Sequence, residues 1–274
     1  MARQGILTVG EKMDLEPFTD LAWKSKENRE IWSQRFPRMS KVYRDAEIET
    51  FIRGMRKVYV WHLNPDNLEK DLEFFNANDL VFYPQTRSKI YEGFSHKHIS
   101  PKPGDPQFVY GVLVRHRDKD LGKDFVEASK SGNHERIGEL LKYPKCCRTF
   151  FKKVWPSSVD PIWEAVGSKE NSVETRIHPY CNQTLRYFGF RITPHLPCSV
   201  TCRETILMGS KWFQIMQGLD KEAAYWLKEL LSLPSEWSCL NGIAIVKTPL
   251  FIGITNSSFH KTKVLVKNLG WNPT

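Results

Sequence analysis

Two short segments, "KYPKCCRTFF" (142–151) and "PHLPCSVTC" (194–202), carry four of the six cysteines in this chain of 274 residues. If their thiols meet, about fifty residues of chain close into a loop around one point, and the fold must supply that closure. The opening "MARQGILTVGEKMDL" has no secretion-signal apolar stretch. No later run approaches the roughly 18 apolar residues of a membrane span. The expectation is therefore a cytoplasmic protein with no membrane partner, in which clustered thiols serve metal ligation or catalysis rather than disulfides. Cys181 and Cys239 stand apart and read as small buried hydrophobes, Cys181 keeping a lesser claim as a fifth ligand.

Local signals place both segments at helix starts. Thr201 is positioned to cap a helix whose Glu204 closes a capping box, making Cys202 its first residue and Cys198 part of the approaching loop. Pro144 fits at or before a first helical turn, which puts Cys146 and Cys147 at a second helix start. Helix N-termini favour the thiolate, the form that binds metal. Adjacent helical residues point about 100° apart, so one of the vicinal pair is expected to coordinate, with Cys147 favoured.

The metal set is thus Cys146, Cys147, Cys198 and Cys202, with His195 as a further candidate ligand or hydrogen-bonding neighbour. Zinc knuckles carry C-x(2–4)-C pairs on both sides, whereas only a C-x3-C occurs here. An all-thiolate set with irregular spacing places an iron–sulfur cluster, such as 4Fe–4S, ahead of zinc by ligand type. A thiol redox site and unliganded buried thiols are the remaining alternatives.

These residues resemble a Y-P-x-C-C-x-x-F-F … H-x-P-C-S-x-x-C pattern in a family of prokaryotic and phage-encoded proteins that carries no established activity. The similarity runs from Asn133 to Gly209, extending weakly into "GIAIVKTP". It implies that the two cysteine segments belong together.

Between them lies "RIHPYCNQTLRYFGFRITPH" (176–195), where Asn182, Arg186 and Arg191 interleave with Tyr187, Phe188 and Phe190. Cations beside aromatic faces suit phosphate contact plus base stacking, so these three are candidate substrate-binding residues. Core packing of Leu185 and Phe188 is the competing account. Asp160 and Glu164 share a helical face, and Asp160, Glu204 and His195 are the candidate acid/base groups near the cysteines. No glycine-rich phosphate loop, H-E-x-x-H, G-x-S-x-G or deaminase H-x-E…P-C-x-x-C occurs, which removes those readings.

The net charge of +9 includes a local excess between Lys24 and Lys57, where ten basic residues face five acids. That suits a polyanion, or a solvated helical face. "KVYVWHL" (57–63), "PDNLEKDLEFFNAN" (65–78) and "DLVFYP" (79–84) read as a βαβ-like unit with a parallel strand pair, followed by a proline-rich loop (95–107) and a strand at 108–116. After Asp118 helices dominate until strand-like "GIAIVKTPLFIGIT" and "TKVLVKNLG", joined by a turn at "NSSFH". The fold class is α/β or α+β, divided into an α/β region (1–118) and a cysteine-motif region (119–274). The functional expectation is an iron–sulfur enzyme, a transferase modifying a nucleotide or a base in nucleic acid. A zinc-stapled nucleic-acid-binding module and a protein–protein adaptor are the alternatives.

Overall fold

The computed structural model describes residues 19–89, 100–157, 161–166, 173–240 and 243–256. In chain order the strands and helices are β1 (Thr19–Trp23), α1 (Lys26–Ile52), β2 (Val58–Leu63), α2 (Leu68–Ala77), β3 (Leu80–Ser88), β4 (Phe108–Arg115), α3 (Lys119–Lys130), α4 (His134–Leu140), α5 (Lys145–Val154), α6 (Pro161–Val166), β5 (Val173–Thr175), α7 (Arg203–Leu219), α8 (Lys221–Ser232), β6 (Ser235–Leu240), β7 (Ile243–Lys247) and β8 (Phe251–Asn256). Every described strand pairing is antiparallel, and the fold is α+β.

The expected parallel pair is corrected by the smaller sheet, whose order is β2-β4-β3. β2 and β3 do run the same way, but β4 lies between them and pairs antiparallel with both. The sequence of β4, FVYGVLVR, is apolar up to its final Arg115 because both its faces are covered. Val112 and Val114 pack with Phe125 of α3 and Leu140 of α4, while Leu113 points the other way, toward Phe75 of α2 and Phe51 at the end of α1.

The larger sheet has the order β1-β8-β7-β6-β5, so the first described strand pairs with the last, Thr19 opposite Thr255. Against it lie α1, α7 and α8. The core between them holds Trp212, Trp237 and Phe251, all fully buried, with Phe36 of α1 against Phe190 at 4.4 Å between ring centroids. α1 is a 27-residue helix capped by Ser25, whose hydroxyl accepts from the Asn28 amide. Its buried stripe of Trp32, Met39, Val42, Tyr43, Ala46 and Thr50 recurs at helical spacing, so the basic segment is a core helix with a charged outer face.

Asn133 caps α4, its side chain accepting from the Arg136 amide. Residues 100–107 are irregular, in keeping with the expected loop. The strand expected at 262–270, and all but Asn256 of the turn at 256–260, lie outside the described residues. Among those described, no helix is long and apolar enough to cross a membrane.

Candidate metal centre

Two helix starts converge at the cysteines. Lys142, with φ 61°, turns the chain out of α4, and Pro144 at the N-cap of α5 strands no donor because it has no N–H. Cys146 and Cys147 then fall in the first turn of α5. On the other side the Cys202 amide donates to the Ser199 carbonyl at 3.3 Å, and this turn delivers Cys198 and Cys202 to the same point.

The expected capping box is not what starts α7. The N-cap is Cys202 itself, so the helix begins one residue later than expected, at Arg203. Thr201 and Glu204 are both exposed. The third helical residue is Thr205, fully buried, with its hydroxyl among the sulfurs.

The vicinal pair also departs from expectation. Cys146 and Cys147 sit in regular helix, yet their sulfurs are 3.8 Å apart and each is 3.7 Å from that of Cys202. The 100° between adjacent helical positions separates the Cβ atoms, and one further bond on each suffices to bring the sulfurs back together. With Cys198 included, the four sulfurs lie within 4.8 Å of one another, a group that could hold a metal ion. Cys147 and Cys202 are buried, Cys198 is half-buried and Cys146 is exposed.

Four thiols this close cannot all ionise without a cation between them. Burial pushes the Cys147 thiol far up, and burial together with the Cys202 and Cys146 sulfurs pushes Cys198 up to about 12. Cys202 goes the other way. Burial opposes its ionisation, but the Thr205 hydroxyl and amide and the Cys198 and Cys147 thiols outweigh it and bring Cys202 down to about 7. Cys181 is buried alongside, its thiol facing the Cys202 carbonyl at 3.7 Å and pushed up by burial to about 12; its sulfur is not one of the four. Cys239 lies on β6, paired with Ala244.

The other expected site residues divide. His195 does reach the centre: its ring is buried, Nε2 is 2.9 Å from Thr205 Oγ1, and that hydroxyl is 3.4 Å from Cys147 Sγ. Burial holds the imidazole pKa down at about 3, so the ring is neutral. Glu204 stands on the exposed first turn of α7, Glu164 is exposed on α6, and Asp160 lies outside the described residues. The described structure therefore does not gather an acid/base set around the sulfurs. Asn182 is buried and braces the backbone, donating to the Leu231 carbonyl at 2.8 Å and accepting from the Thr184 amide and hydroxyl. Arg186 is buried against Tyr187 and Trp237, donating to the Gln183 carbonyl and the Tyr187 hydroxyl. Arg191 lies over the Tyr43 ring at 4.3 Å.

Much of the local charge excess is met internally. Lys26, Arg35, Arg38, Lys41 and Arg53 each have an acidic partner, at Glu30, Glu229, Asp220 with Glu222, Asp45 and Glu49, whereas Arg56 has Glu47 at 3.8 Å and an unbonded Nε. Thr205 was not singled out in the sequence, although its place three residues after Cys202 was the signal available. Tyr143, half-buried with its ring 5.3 Å from that of His195, carries no local signal at all, and Arg56 was marked only as one of the ten basic residues between Lys24 and Lys57. No known family profile matches this chain, and no curated protein or solved structure matches it either.

Proposed function

We propose that Cys146, Cys147, Cys198 and Cys202 hold one zinc ion as a structural staple between α5 and α7, and that the protein is a zinc-stapled binding module. Sulfur spacing carries the reading. Four sulfurs each ~2.3 Å from one ion stand ~3.8 Å from one another at the corners of a tetrahedron. The sulfurs of Cys146, Cys147 and Cys202 are 3.7, 3.7 and 3.8 Å apart, and with Cys198 all four lie within 4.8 Å of one another. An iron–sulfur cluster uses the same donors, but its own iron and sulfide atoms must fit between the cysteines, which calls for a wider cage.

A set of four thiolates leaves no open coordination position, and that supports a structural over a catalytic role. The cytoplasm suits such a site because thiols stay reduced there. Modification of nucleic acid at the metal itself would need an open coordination position, which four thiolates around one zinc do not leave. The paired charges on α1 likewise point away from its outer face and toward an interior cleft as the place where a partner sits.

The test is elemental analysis of anaerobically purified protein. Stoichiometric zinc in a colourless sample, replaceable by cobalt with thiolate-to-cobalt absorption, is the expected result. A brown sample with iron and acid-labile sulfide would overturn it and restore the cluster enzyme.

A further inference from the structure

Beside the cysteines lies a cavity of about 1240 Å³, walled by α1, β2, the α4–α5 corner and the 186–196 segment, with Cys147 and His195 both in its lining. Its charged lining is lopsided, five arginines against Asp45 and Glu47. Arg148 is tied to Glu135 and Glu139 outside it. Arg56 is different. It is 2% exposed, its nearest acid Glu47 is 3.8 Å away, and its Nε has no hydrogen-bond partner. A buried guanidinium so weakly paired is costly unless an anion completes it. Its Cζ lies 4.9 Å from the centre of the Tyr59 ring, and Trp61, Tyr110 and Tyr143 add further aromatic surface to the cavity.

A second buried group lacks a partner. His195 is 4% exposed, and its Nδ1 has no hydrogen bond. Which role that nitrogen plays follows from the Thr205 hydroxyl, which has one proton to give. On the four-thiolate reading Cys147 has no proton, so Thr205 donates to the sulfur and accepts from His195 Nε2–H. The neutral ring then leaves a lone pair on Nδ1. Tyr143, whose ring lies 5.3 Å from His195, feels the charges of Arg56, Glu47 and Arg191, which places the histidine and the arginine around one ring.

We propose that this cavity binds a nucleotide, its base stacked among the tyrosines with a ring or amino N–H donated to His195 Nδ1, and its phosphate met by Arg56. Aromatic faces, a hydrogen-bond acceptor and a buried cation are together what a base carrying a phosphate needs. The same chemistry comes from a free mononucleotide or from one unit of a single strand. The acceptor assignment rests on the four-thiolate reading, whereas the aromatic and cationic lining does not.

The experiment is calorimetric titration of the zinc-loaded protein with 5′-mononucleotides, the matching nucleosides, inorganic phosphate and short single-stranded oligonucleotides. Expected is saturable binding of a mononucleotide or an oligonucleotide, with nucleoside and phosphate each weaker. Tighter binding of the oligonucleotide identifies the strand as the source, and tighter binding of the mononucleotide identifies the free molecule. Arg56→Gln should weaken binding at least about tenfold and abolish the advantage of nucleotide over nucleoside. Methylating the base N–H groups should weaken binding to wild type by a comparable factor. No binding by folded wild-type protein, phosphate binding as tightly as nucleotide, or undiminished binding by folded Arg56→Gln would each overturn the proposal; the wild-type arms decide it if that variant does not fold. Metal content is measured on the same samples, so nucleotide binding without zinc removes the staple and the histidine's role alone, and zinc without nucleotide binding removes only the ligand.

Discussion

At the scale of single residues the cysteines divide by position rather than by burial. Cys181 is as buried as Cys147, but its thiol faces a backbone carbonyl, while Cys147 faces Cys146 and Cys202. Cys202→Ser or Cys147→Ser should therefore lose the metal, and Cys181→Ala should keep it; zinc content after dialysis distinguishes them. Thr205→Val should retain stoichiometric zinc with affinity lowered about 10- to 100-fold, since it removes the hydroxyl that orients a ligand sulfur, and competition against a chromophoric chelator reads this. The thiols were legible in the sequence because their chemistry is rare and their spacing local. Thr205 and Tyr143 were not, and Arg56 was legible only as one charge among ten, because an ordinary threonine, arginine or tyrosine acquires its role from what folding packs beside it.

Among the elements, α1 shows how a surface signal can mask a core one. Six basic residues within it, four more just outside its ends and an internal Pro37 dilute its apolar stripe, so the segment reads first as charge. Its attachment to α8 is testable at Asp220. That carboxylate caps α8 through the Ala223 amide at 3.1 Å and takes two bonds from Arg38, at 2.8 and 3.0 Å. Hydrogen bonding by Arg38 holds its pKa below the usual carboxylate value. The ion pair thus stabilises the fold fully at neutral pH, and its contribution is lost as pH falls through and below the carboxylate range. Asp220→Asn keeps a cap acceptor but loses the charge, so it should cost about 0.2–1 kcal/mol at neutral pH, a figure already reduced for partial exposure. The deficit relative to wild type should shrink on acidification, as urea unfolding midpoints at the two pH values would show. The strand–helix–strand pattern at 57–84 was legible for the same reason the motif was: it is local. That β4 inserts between its strands was not, because the residues that decide it lie some twenty-five positions further on.

For the whole molecule, the centre joins elements whose other packing lies elsewhere. α5 packs on α4 and α6, and α7 packs on α1 and α8. Structural zinc in small sites is worth roughly 10–16 kcal/mol. That matches or exceeds the about 5–15 kcal/mol total stability of an ordinary domain. Chelation should therefore lower the melting temperature by many degrees and open the α5 region to limited proteolysis, and zinc should reverse both. An unchanged melting curve and an unchanged digestion pattern after complete metal removal would rule out a staple. The α+β character of the chain was readable from its helical middle and strand-rich ends. The order of the larger sheet was not, since nothing near Thr19 announces a partner at Thr255.

That pairing spans 236 positions, with the two threonine hydroxyls 3.1 Å apart. On the ribosome β1 emerges long before β8, and its place beside that strand stays vacant until β8 has been translated. Contacts so distant in sequence form late. The newborn chain thus carries an unsatisfied β edge at β1 for the whole interval between the two strands, and that seam can close only once β8 has followed.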